Sequence, residues 1–94
     1  MYRIIRTKGF ERSYKRLKQS GIKEPALRDI ENIIDTLALG KSLPAKHQDH
    51  KLTGYLIGYR ECHVRPNLLL IYQINHGNLM LILVDIGSHP YLFG

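Results

Sequence analysis

Apolar and polar positions change their spacing several times along the chain, and each change predicts a new element. Tyr2-Arg3-Ile4-Ile5-Arg6 is short, rich in β-formers and partly alternating, which predicts a first strand. From Lys8 to Ser20 the apolar residues Phe10, Tyr14 and Leu17 recur at i, i+4 and i+7, with Arg12, Lys15, Arg16 and Lys18 on the other faces. This is the pattern of a basic amphipathic helix, and Gly21 can end it in a left-handed cap. A second helix begins at Pro25, tolerated in a first helical turn, and carries Leu27, Ile30, Ile33, Ile34 and Leu37 before Gly40. Between Lys41 and Gly54 no period holds, and Pro44 with the polar run Lys46-His47-Gln48-Asp49-His50 predicts a loop.

Beyond the loop, Tyr55 to Arg65 alternates, with Tyr59, Glu61, His63 and Arg65 on one side and Arg60, Cys62 and Val64 on the other. Pro66-Asn67 makes a turn, Leu68 to Ile74 is an apolar run of strand length, Asn75-His76-Gly77-Asn78 turns again, and Leu79 to Val84 forms the last apolar run. The order is β-α-α-β-β-β. It predicts an α+β fold in which a helical hairpin packs on one face of a mostly antiparallel four-stranded sheet, leaving the other face open for function. With 94 residues and no repeat or linker, one domain spanning 1–94 is expected.

Composition narrows the class. Hydrophobic residues make up 44% of the chain and charged ones 23%, enough apolar material for a modest core and unlike a disordered chain. Cys62 is alone, so neither an intrachain disulfide nor a thiolate zinc cluster can form, which fits a reducing, cytoplasmic setting. No apolar run is long enough for a membrane span or a signal peptide. The net charge of +6 is uneven, since residues 1–28 carry nine basic side chains against Glu11 and Glu24. Although any exposed helix face is charged, this sign bias points to a polyanion, and nucleic acid is the commonest.

Five histidines stand out, and His47, His50, His63 and His89 lie in or beside segments flanking the predicted sheet. Their unperturbed pKa of about 6.5 suits proton transfer near neutral pH. Cleavage of RNA by its own 2′-hydroxyl needs a base for that hydroxyl, an acid for the leaving 5′-oxygen and positive charge for the developing dianion. Histidines with Lys51, Arg60 or Arg65 could supply all three with no metal and no cofactor. Zinc held by His47, His50 and His63 is the weaker alternative, because His-x-x-His in a loop lacks a completing carboxylate cluster. His76, inside a polar turn, reads as solvated. Tyr55, Tyr59, Tyr72 and Tyr91 are read as core or cross-strand partners, whereas Phe93, near the end of the sequence, is better placed to meet a substrate.

Taken together, Asp49-His50-Lys51-Leu52-Thr53-Gly54, Arg60-Glu61-Cys62-His63-Val64, Leu69-Leu70-Ile71-Tyr72 and Gly87-Ser88-His89-Pro90-Tyr91-Leu92-Phe93 resemble the YafQ branch of the RelE/ParE toxin superfamily. The resemblance runs through the whole chain and implies a RelE-like fold. It further implies a bacterial type II toxin that enters the ribosomal A site and cleaves mRNA there, held in check by a cognate antitoxin in a hetero-oligomer. His50, His63 and His89 match the family's catalytic histidines. His89 is then the general acid, His50 or His63 the base or the group that orients the phosphate, and Phe93 the aromatic that positions a base. Asn67 stands where the family pattern carries aspartate, keeping hydrogen-bonding capacity without the negative charge. That departure motivates a second expectation, a module that binds antitoxin or RNA without cleaving. Action on DNA gyrase, as in ParE-type relatives, is less expected, since a gyrase poison needs no proton-transfer residues.

Overall fold

The computed structural model describes residues 1–94. Strand β1 (Arg3–Arg6) is followed by helices α1 (Lys8–Gln19) and α2 (Glu24–Ala38), strands β2 (His50–Lys51), β3 (Arg60–Arg65), β4 (Leu68–Asn75) and β5 (Met80–Gly87), and a short helix α3 (His89–Phe93). Thr7 starts α1 by accepting the Phe10 amide at 3.1 Å, while its own hydroxyl donates to the carbonyl of Leu83 at 2.8 Å. One side chain thus caps a helix and fastens it to β5. At the far end Ser20 keeps helical angles and Gly21 follows with φ of 86°, the left-handed turn that favours glycine.

Both helices bury one stripe against the same face of the sheet. Phe10 and Tyr14 of α1 and Ile30, Ile34 and Leu37 of α2 share a core with Cys62 and Val64 of β3, Leu70 and Tyr72 of β4, and Leu81, Leu83 and Ile86 of β5. Each fully buried large apolar side chain there is worth about 1.5–3 kcal/mol relative to exposure. Because strand residues alternate, Cys62 and Val64 in this core turn Glu61 and His63 to the opposite face.

The sheet has five strands in the order β1-β5-β4-β3-β2, one more than the sequence pattern predicts. The extra strand, β2, sits inside the polar run read as a loop. It is an exposed two-residue edge strand paired antiparallel with β3, so it carries no apolar alternation to announce it. β1 lies parallel to β5, with Arg3 opposite Met80, and the other pairings are antiparallel.

Three boundaries also move. Gly54–Leu56 forms a 3₁₀ turn, so the third strand begins at Arg60 instead of Tyr55. Leu79 takes a left-handed backbone with φ of 53° and belongs to the turn, although its side chain reads as strand. β5 continues past Val84 to Gly87 through a register shift opposite Ile71 and Tyr72, and Ser88 caps the start of α3 just beyond it.

Candidate active site

On the sheet face away from the helices, strand register brings His50 opposite Glu61. His63, two residues along β3, shares that face. His50 Nε2 lies 3.8 Å and His63 Nε2 3.4 Å from the same Glu61 carboxylate oxygen. Glu61 is buried, and its carboxylate faces both imidazoles.

The other nitrogen of His50 settles its tautomer. Nδ1 lies 2.6 Å from the Gln48 carbonyl oxygen, which can only accept, so Nδ1 carries the proton. Nε2 of the neutral ring then holds the free lone pair. Once that nitrogen is protonated, it faces a carboxylate. His47 does not join the pair as a third ligand or base. Its Nδ1 donates to the backbone carbonyl of His63 at 2.6 Å, fastening the Ala45–His47 turn to β3. No group of three His, Cys, Asp or Glu side chains is arranged to hold a metal ion.

Behind β2 a second polar cluster fixes the strand. The Tyr72 hydroxyl donates to Asp49 Oδ1 at 2.5 Å, and Arg60 donates from Nε to the same carboxylate oxygen and to the Tyr72 oxygen, each at 3.3 Å. Burial, then the bond to Asp49, pushes the Tyr72 hydroxyl well above its ordinary pKa. Burial alone would lower the Arg60 pKa, but its bonds to Asp49 and Tyr72 carry it upward instead. The Cys62 thiol, under Glu61 in the core, is pushed up to about 12 by burial first and by the charges of Asp49 and Glu61 next. It is an inert core thiol.

His89 and Phe93 occupy α3, one helical turn apart, with ring centroids 5.0 Å from each other. His89 is exposed and Phe93 half-buried. Ser88 caps the helix by accepting the Tyr91 amide at 3.2 Å. No direct contact joins His89 to His50 or His63; the sheet links them through one row, with His63 opposite Leu69 and Leu69 opposite Gly87, two residues before His89. Two strand spacings separate that row's ends, about 10 Å.

Asn67, exposed in the β3–β4 turn, lines a cleft of about 510 Å³ together with Arg65, Gly87, Ser88 and Tyr91. It therefore belongs with the α3 end of the surface and not with the His50–Glu61–His63 group. Among the expected basic residues, Lys51 is exposed, Arg65 pairs with Asp29 at 2.8 Å, and Arg60 is tied to Asp49. His76 is exposed, as its polar turn predicts, and its Nδ1 meets the Tyr2 hydroxyl at 3.0 Å. Glu61 was absent from the sequence-derived site, yet the alternation that puts Glu61 and His63 on one side of a strand was the signal for it.

The family model for YafQ, described as a bacterial toxin of type II toxin-antitoxin systems, matches residues 2–94. The mRNA interferase toxin YafQ of Escherichia coli K12 is 42% identical over 52 residues, which take in 55% of this chain and 54% of that protein. The match thus spans about half the length of that curated relative. Among solved structures, a metal-bound toxin from Helicobacter pylori is 39% identical, with a TM-score of 0.88 over 99% of this chain and 100% of that one. A chain of the E. coli DinJ-YafQ toxin-antitoxin complex is 26% identical, with a TM-score of 0.85 over 99% of this chain and 98% of that one. With the family pattern running from Tyr2 to Gly94 and the same α+β architecture in solved toxins, this chain belongs to the YafQ family of bacterial type II toxins.

Proposed function

We propose that this toxin is an mRNA interferase that cleaves mRNA in the ribosomal A site, using histidines as acid and base. One observation carries the reading: the proton on His50 Nδ1 is committed to the Gln48 carbonyl, leaving Nε2 as a lone pair beside Glu61. His50 Nε2 takes the proton of the ribose 2′-hydroxyl, and the resulting imidazolium is met by the Glu61 carboxylate. As the bond from O2′ to phosphorus forms, the bond from phosphorus to O5′ breaks. His89 gives its proton to O5′, so the products are a 2′,3′-cyclic phosphate and a 5′-hydroxyl. His63, against the same Glu61 oxygen, orients the phosphate, and Phe93 stacks on an adjacent base. Lys51 supplies positive charge at the RNA, Arg65 adds to it only when RNA phosphate displaces Asp29, and Arg60 acts through Asp49 to hold the strand that carries His50. Asn67 offers an amide to the RNA at the α3 end without adding charge.

The H. pylori relative is described as metal-bound. Here the two imidazoles lie within 4 Å of one carboxylate oxygen, and both proton transfers are assigned to histidines. The partner that restrains the toxin is an antitoxin comparable to DinJ in the E. coli complex, and the +6 charge favours an acidic binding segment.

The test is translation of a defined mRNA with purified protein, mapping new 5′ ends by primer extension, with and without ribosomes. Ribosome-dependent cuts are expected, and His50→Ala or His89→Ala should each slow them by about 10²–10⁴-fold. A folded His89→Ala protein that cuts at the native rate overturns the assignment. Absence of any cut by the folded native chain leaves a module that binds antitoxin or RNA without cleavage, and Asn67→Asp then shows whether the missing carboxylate is the cause.

A further inference from the structure

Helix α3 has five residues, far below the length at which an isolated helix holds together in water, about 12–15. Something outside it must fix its position. Tyr91 lies two residues from both His89 and Phe93, about 200° around the helix, so it leaves the helix on the opposite side; part of its ring is open to solvent while its hydroxyl reaches α1. Its hydroxyl makes the only side-chain hydrogen bond from α3 to another element, 2.9 Å to Ser13 Oγ on α1. Ser13 is buried and is 2.6 Å from Asp85 Oδ1 on β5, an oxygen that also accepts the Ile86 amide at 2.9 Å. A carboxylate can only accept, so Ser13 donates to Asp85 and Tyr91 donates to Ser13, giving the relay one direction. The guanidinium of Arg16 covers the Tyr91 ring at 5.0 Å from its centroid. Beneath the ring lies Gly87, where a Cβ would stand 2.5 Å from Tyr91 Cδ2. Any other residue at 87 would push the ring away.

We propose that Tyr91, held by Ser13 and Asp85 and seated on Gly87, is a positioning residue that sets the place of His89 and Phe93 at the RNA. This rests on the assignment of His89 as acid. The hydrogen bonds of the relay are internal to the protein, so their loss should slow the chemical step without weakening engagement of the ribosome. Small misplacements of a reacting group are costly, and about a tenfold loss is expected.

The experiment measures single-turnover cleavage of ribosome-bound mRNA across ribosome concentrations, together with ¹H–¹³C spectra of the histidine and phenylalanine rings. Tyr91→Phe should lower the maximal rate about tenfold, leave the half-saturating ribosome concentration unchanged, and move the His89 and Phe93 signals but not those of His50. Ser13→Ala should do the same, and the double variant should be no slower than either. Gly87→Ala gives a second route, slowing the native chain but adding nothing in a Tyr91→Ala background. A Tyr91→Phe protein within about twofold of native, additive losses in the double variant, or a further loss from Gly87→Ala without Tyr91 overturns the proposal. If His89→Ala proves fully active, the acid assignment fails by itself. The ring spectra still decide the positioning role, and unmoved His89 and Phe93 signals in Tyr91→Phe refute it.

Discussion

Replacing Tyr72 by phenylalanine removes a single oxygen from a side chain that is 1% exposed. The ring keeps its place among Cys62, Leu70 and Leu83, so no large cavity opens. What disappears is the 2.5 Å donation to Asp49 and an acceptor for Arg60. Hydrogen bonds to charged groups contribute about 1.5–3 kcal/mol. Arg60 remains 3.3 Å from both Asp49 oxygens and shields the carboxylate from complete orphaning. The expected loss is therefore about 2 kcal/mol at pH 7, or about 8–16 °C in Tm for a chain of this size.

The pH dependence gives the sign a second check. Burial and Asp49 raise the Tyr72 pKa in the folded chain, so its contribution is complete below the unfolded tyrosine value of about 10 and declines as pH rises above it. Phenylalanine has nothing to lose there. Urea unfolding followed by circular dichroism should show the native and Tyr72→Phe curves converging above about pH 10, with equal m values at pH 7. A difference under about 0.5 kcal/mol at pH 7, or one that widens with pH, would show that the Tyr72–Asp49 bond does not stabilise the fold.

Further outcomes follow from the same geometry. Glu61→Gln keeps the shape but removes the charge between His50 and His63, and mRNA cleavage measured by primer extension should fall about 10–100-fold while the unfolding midpoint changes little. The Cys62 thiol, carried to about 12 mainly by burial, stabilises the fold below its unfolded value near 8.5 and loses that contribution as pH climbs toward 12. Cys62→Ala should thus unfold more easily at pH 7, from the lost packing, but show a flatter decline between about pH 9 and 11 in urea titrations. Thr7→Ala removes both the α1 cap and the link to the Leu83 carbonyl, and should cost about 1–2 kcal/mol by thermal or urea unfolding.

Elements that bury a long apolar stripe were the legible ones. The i, i+4, i+7 spacing of Phe10, Tyr14 and Leu17 found α1, and the runs ending at Ile74 and Val84 found the hairpin, because desolvation writes directly into sequence period. β2 escaped since His50 and Lys51 are both exposed and owe their strand geometry to backbone pairing with Glu61 and Arg60. Parallel pairing of β1 with β5 is likewise a property of distant backbone, invisible in either segment alone. For the candidate site, residue type and motif pointed to His50, His63, His89 and Phe93. Their partners were hidden for a different reason. Tyr72, Ser13 and Asp85 gain meaning only through tertiary neighbours, and their hydrogen bonds leave no periodic signature.

The placement of β5 between β1 and β4 also bears on how the protein is made. During synthesis β1 emerges first but has no partner until Met80 and the residues after it are available to pair with Arg3 and its neighbours. β1 is thus joined to the other strands only by the last one, a contact pattern of high sequence separation that slows folding. Helix α3, docked on the end of β5, can assemble only afterwards. A nascent chain interrupted before Met80 lacks the strand that joins β1 to the rest of the sheet as well as the segment bearing His89 and Phe93. Completion of the fold and arrival of the candidate acid are therefore the same event, and truncated translation products of this toxin are expected to be inert.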